Sequence, residues 1–225
     1  MVDLFIGTVL KDAGDALTQH ADALHFTWKT LYRKKVMEVI HIMNILKMNK
    51  HDIANGPGVR VSIWVSGCDL HCKGCFNEEA WDFSAGKKMT RIDIAEILHA
   101  CTPEEIRGLT ILGGEPLHND NLIAVYDLVY AFREAFGDSK DVIIYTGFTT
   151  KQLMDCPRMP MCQYVDMFVT GPFIEEQKDI SLIFKGSKNQ QFVYITHGKD
   201  YGDWSCLISD DFDLNLFNQT TKYVC

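Results

Sequence analysis

The period of the hydrophobic positions changes near residue 55. Upstream, Leu17, Ala21, Leu24, Trp28 and Leu31 recur at alternating steps of four and three, which puts one apolar stripe on a helix. Residues 1–48 therefore read as a helical N-terminal extension, amphipathic, with Lys29, Arg33, Lys34 and Lys35 at a basic end. The turn signal "NGPG" (55–58) follows. Beyond it, "VRVSIWVS" (59–66) is β-branched and alternating, so it predicts a strand. "RIDIAEILHA" (91–100) predicts a helix capped by Thr90, and "NLIAVYDLVYAFREAF" (121–136) a longer one. Between and after them, "RGLTILGG" (107–114), "DVIIYTG" (141–147), "YVDMFVTG" (164–171) and "QQFVYI" (190–195) predict strands, and "TTKQLMD" (149–155) a short helix.

Strands alternating with helices predict an α/β fold with βα units and a parallel sheet. In such sheets the site lies beyond the C-terminal strand ends. Three of these strands run into Gly67, Gly113 and Gly147, so the loops behind them should meet on one rim. The chain divides into the extension (1–48), a core (49–196) and a C-terminal tail (197–225). The tail has little pattern, and "SDDFD" (209–213) reads as a solvated loop.

Composition narrows the function classes. The 225 residues are 47% hydrophobic and 23% charged, as in ordinary globular proteins. A formal net charge of −8 argues against a nucleic-acid or anionic-membrane binder. No apolar run reaches the roughly 18 residues of a membrane span. The start "MVDLFIGTVLKDAGD" has no basic segment and makes a poor secretory signal. A cytoplasmic protein with reduced thiols is the expectation. Of the eight cysteines, Cys101, Cys156, Cys162, Cys206 and Cys225 are scattered and read mostly as buried free thiols.

The other three are crowded into "GCDLHCKGC": Cys68, Cys72 and Cys75. On a helix they would spread over roughly 10 Å of axis, too far for one compact centre. The segment must curl, and Gly67 and Gly74 permit that while exposing amides to anionic sulfur. A structural zinc would need a fourth ligand from elsewhere, such as His99, Cys101 or Cys162. An iron–sulfur cubane could use three local thiols and leave one iron open. A redox dithiol is a third option. His71 reads as a loop residue, and Trp81 and Phe83 as packing over the loop.

The C-x3-C-x2-C spacing directly after the first strand of a βα series, with "GGEP" after the next, resembles the radical S-adenosylmethionine (SAM) enzymes. "NGPGVRVSIWVSGCDLHCKGCFNEEAWDF", "LTILGGEPL", "YTGF" and "VDMFVTGPFIEEQKDISLIFKGSKNQQ" are together similar to the activating proteins of anaerobic ribonucleoside-triphosphate reductase. The similarity runs from about Asn55 to Gln191. Chains of that family usually begin near Met43, so residues 1–42 stand outside the pattern, as an extension or an upstream start codon. Gly74 occupies the position where many radical SAM enzymes carry an aromatic residue. "KGSKNQQ" (185–191) stands where the family has an "RGS-NQR" pattern, so Lys185 and Gln191 replace both arginines.

The resemblance implies a small partial, open βα barrel. It implies that Cys68, Cys72 and Cys75 hold one 4Fe–4S cluster whose fourth iron is chelated by SAM. Gly74, Gly113, Gly114, Glu115, Pro116 and Thr146 would bind the cofactor. Gly171, Pro172 and Phe173 would line the channel for a glycine loop of the large reductase subunit. An electron would cleave SAM to methionine and a 5′-deoxyadenosyl radical, which takes a hydrogen from that glycine. No side chain beyond the cluster and SAM would be catalytic. A flavodoxin- or ferredoxin-like protein would supply the electron. Two other functions compete: an activase of another glycyl-radical enzyme such as pyruvate formate-lyase, and a zinc-stabilised interaction module without catalysis.

Overall fold

A computed structural model describes residues 43–154, 159–197 and 204–220, and the helical expectation for residues 1–42 lies outside them. Eight strands form one sheet: β1 (Asn44–Asp52), β2 (Val59–Val65), β3 (Lys87–Lys88), β4 (Ile106–Gly113), β5 (Asp141–Tyr145), β6 (Met167–Thr170), β7 (Gln191–His197) and β8 (Trp204–Ser209). Among the described residues there are four α-helices: α1 (Arg91–Ala100), α2 (Asn119–Phe136), α3 (Thr150–Leu153) and α4 (Leu214–Thr220). The strand order is β3-β1-β2-β4-β5-β6-β7-β8, an open sheet with two free edges. The four central strands, β2, β4, β5 and β6, are parallel, and the flanking pairs are antiparallel. The α/β class and the open sheet agree with the expectation.

Alternation along each strand divides the core between the two faces. Ile63, Ile111, Ile144, Phe168 and Val193 join one cluster with Leu122, Val125, Leu128, Val129 and Phe132 of α2. Ile143, Met167, Val169, Phe192 and Tyr194 point the other way and meet Phe217 of α4. Helix α1 starts where its capping signal sits: Thr90 accepts from the Asp93 amide and the Asp93 side chain accepts from the Thr90 amide.

Residues 44–48, expected to be helical, are strand. They open β1, which pairs antiparallel with β2 from Ile45↔Val65 to Asp52↔Arg60. Burial of Ile45 against the sheet prevails over the helical pattern of the residues before it. The tail also carries more structure than its pattern suggests. β8 is an edge strand with exposed Cys206, Leu207 and Ile208, which hides alternation, and of residues 214–219 in α4 only Phe217 is buried. No helix among the described residues is long and apolar enough to cross a membrane.

Candidate functional site

Strand β2 hands the chain directly to the cysteine loop. Gly67 (φ +93°) and Gly74 (φ +72°) both take the left-handed conformation that lets the loop curl. The loop is pinned by its own downstream segment: the Gly67 amide donates to the Ala80 carbonyl at 2.8 Å and the Cys68 amide to the Trp81 carbonyl at 3.2 Å. Cys68 is buried, and Cys72 and Cys75 are half-buried. All three line one cavity of about 310 Å³.

The Asn77 amide donates to Cys75 Sγ at 3.4 Å. The backbone at Leu70 and His71 favours the Cys68 thiolate, and that at Phe173 the Cys72 thiolate. Burial acts in the opposite direction, pushes the Cys68 thiol up to about 11 and raises Cys72 as well. Such a set of soft donors suits iron or zinc. A single zinc, however, holds its thiolates at about 2.3 Å, which brings the sulfurs within roughly 3.8 Å of each other. Among the described residues no group of three or more His, Cys, Asp or Glu side chains is arranged to hold one metal ion. Three thiols on one cavity are a donor set that an iron–sulfur cluster can use.

The loop after β4 closes the next wall. Gly114 donates to the Val65 carbonyl at 2.7 Å and Glu115 to the Gly67 carbonyl at 2.8 Å, so "GGEP" is stitched to the root of the cysteine loop. Glu115 is fully buried. Its carboxylate accepts from Thr146 Oγ1 at 2.7 Å, the Gly147 amide at 2.7 Å and the Leu117 amide at 2.9 Å. These bonds fix the carboxylate between the loops after β4 and β5, and Glu115 also lines the cavity. Asn121, at the start of α2, donates Nδ2 to the Ser66 and Glu115 carbonyls at 2.9 and 3.0 Å and locks the two loops together.

The third wall comes from far along the chain. Gly171 follows β6, and its amide donates to the Phe148 carbonyl at 2.8 Å. Asn189 Nδ2 donates to the Pro172 carbonyl at 2.7 Å and Gln190 Nε2 to the Gly171 carbonyl at 3.1 Å. Gln190 Oε1 also accepts from the Gly186 amide at 2.8 Å, so "KGSKNQ" folds back as a clamp on the "GPF" loop. Lys185 brings a positive charge to this wall.

The expected residues Cys68, Cys72, Cys75, Gly113, Gly114, Glu115, Thr146, Gly171 and Phe173 thus share one cavity. Gly74, Pro116 and Pro172 lie outside its lining. Gly74 is exposed and faces Glu175, and Pro116 is buried beneath its loop. Asp166 is remote from the cavity, accepts from Arg133 and the Val142 amide, and holds strand ends together. Exposed His71 rests its ring on Trp81, centroids 4.6 Å apart. Sequence reasoning passed over Asn77, Tyr145 and Gln190 in the lining, and Asn121 behind it. Gln190 lay inside a noted pattern; Asn77 and Tyr145 carried no signal beyond adjacency to the motifs.

Residues 54–193 match the family described as "4Fe-4S single cluster domain". The chain is 37% identical over 150 residues to the anaerobic ribonucleoside-triphosphate reductase-activating protein of Haemophilus influenzae, covering 66% of this chain and 96% of that protein. It is 39% identical to the protein of the same name from Vibrio cholerae, again over 150 residues, covering 64% and 96%. The Escherichia coli protein of that name is 35% identical with the same coverage.

Proposed function

The chain belongs to the family of anaerobic ribonucleoside-triphosphate reductase-activating proteins, with their 4Fe-4S single cluster domain, and we propose that it is the radical SAM activase of such a reductase. It reductively cleaves SAM and leaves a glycyl radical on the large reductase subunit. The observation that carries this is the convergence of three thiols, the "GGEP" loop and the "TGF" loop on one cavity, with a buried carboxylate between them. Cys68, Cys72 and Cys75 hold the cluster. When bound, the cluster and SAM supply a low-potential electron and a sulfonium carbon–sulfur bond to break.

The chain's own residues bind, orient and exclude water. Gly113 and Gly114 offer backbone to the methionine end of SAM, and Glu115 accepts from its ammonium group. Thr146 holds Glu115 in place rather than meeting the ligand itself, since its hydroxyl donates to Glu115 and accepts from the Phe148 amide at 3.1 Å. Gly171 and Phe173 line the entry for the glycine loop, fixed by Asn189 and Gln190. The open sheet is read as a small partial βα barrel of the radical SAM type, and the protein works in the cytoplasm with a flavodoxin- or ferredoxin-like donor.

The test is an anaerobic preparation with iron and sulfide analysis and electron paramagnetic resonance. About four irons per chain, a signal that changes on adding SAM, and a radical doublet on the reductase after mixing are expected. One zinc and no iron would end this proposal.

A further inference from the structure

Two hydrogen-bond donors beside the cysteines have no acceptor among the described residues. Asn77 Nδ2 and Trp81 Nε1 are buried and unpartnered, and both side chains line the cavity that Cys68, Cys72 and Cys75 line. Buried donors are nearly always satisfied, so an orphaned pair at one site calls for an acceptor that binds there. Neither side chain has another task that explains its polarity. Asn77 stands at the N-cap of the 3-10 turn Glu78–Ala80, yet its side chain makes no capping bond. Trp81 packs its ring on His71, which phenylalanine would do as well, and uses only its backbone carbonyl to hold Cys68.

The backbone fixes both residues against the thiols. The Asn77 amide donates to Cys75 Sγ at 3.4 Å, and the Trp81 carbonyl receives the Cys68 amide at 3.2 Å. We propose that Asn77 and Trp81 are positioning residues that donate side-chain hydrogen bonds to the sulfur atoms of the bound iron–sulfur cluster and raise its reduction potential. The physical reason is charge. Reduction adds an electron to the cluster, its sulfurs become stronger acceptors, and donors aimed at them stabilise the reduced form more than the oxidised one. Removing a donor therefore makes the cluster harder to reduce. The inference rests on the cluster assignment above.

The experiment is a potentiometric titration of the anaerobic holoprotein without SAM, for wild type, Asn77→Leu and Trp81→Phe, after iron and sulfide analysis of each. Each variant should load the cluster and shift its reduction equilibrium about three- to tenfold toward the oxidised form, tenfold being about 59 mV for one electron. Wild-type protein labelled with indole 15N should also show a nitrogen coupling to the reduced cluster that Trp81→Phe removes. That second measurement stands even where a variant fails to load. A loaded cluster with an unmoved potential and no indole coupling overturns the inference and leaves the activase proposal intact. An unmoved potential with weakened SAM binding assigns the donors to SAM and also overturns it. A wild-type protein without iron overturns both.

Discussion

Thr146 donates its hydroxyl to Glu115 at 2.7 Å, joining the loops after β4 and β5 inside a buried wall of the cavity. The bond makes the carboxylate's orientation depend on a residue that has no free donor of its own.

Thr146→Val should therefore act on ligand binding more than on cluster assembly. Iron content should match wild type, and urea unfolding should lose about 1–2 kcal/mol for the missing bond. Equilibrium dialysis should find SAM binding weakened several-fold. An unchanged SAM affinity would mean that the Gly147 and Leu117 amides orient Glu115 without help.

Beneath the cavity, Arg60 is fully buried and pairs with Asp141 at 2.5 Å, while its Nε donates to Thr110 Oγ1 at 2.7 Å. Removing one partner of a buried pair strands the other. Arg60→Met should cost about 3 kcal/mol in urea unfolding, at the low end because Asp141 keeps Arg107 at 2.8 Å. A loss below about 1 kcal/mol would place this pair with exposed ion pairs.

On the proposed function, the clamp on the "GPF" loop should separate SAM cleavage from radical transfer. Asn189→Ala removes the 2.7 Å bond to the Pro172 carbonyl at the entry wall, away from the "GGEP" loop. SAM cleavage with a chemical reductant should persist, while glycyl-radical yield on the reductase, counted by paramagnetic resonance, should fall several-fold. Equal loss of both would assign the loop to SAM binding.

His197, at the end of β7, is held down to about 4 by burial, with Arg133 acting in the same direction. Below about pH 6.5 the unfolded chain takes up a proton that the folded chain refuses, so this site contributes stability at neutral pH that is lost as pH falls toward about 4. The difference in urea midpoint between about pH 7 and about pH 5 should shrink in His197→Phe. An identical pH dependence in wild type and variant would remove His197 as its source.

What the sequence revealed depended on how locally each feature is encoded. Helix α1 was legible to the residue because its cap and periodicity are adjacent. The parallel strands were legible as apolar runs ending in glycine, and so was the rim where their loops meet. Strands β1 and β8 were not, because β1 buries only Ile45 and Asp52 and β8 buries none of its residues, so neither presents a run of buried apolar positions. Within the site, the thiols and "GGEP" stood out by spacing. Asn121 did not, since its role comes from carbonyls at Ser66 and Glu115 that only the folded chain brings to it. Asn77 escaped for a similar reason: a buried polar side chain without a partner looks like any asparagine until its surroundings are known.

The walls of the cavity also differ in age on the ribosome. Cys75 is made early, whereas Gln190, which clamps the last wall, follows roughly 115 residues later, on the order of ten seconds at about 5–20 residues per second. For that interval the nascent chain carries three closely spaced thiols with no enclosure. A cluster inserted during that interval would sit in a site whose last wall had not yet been made.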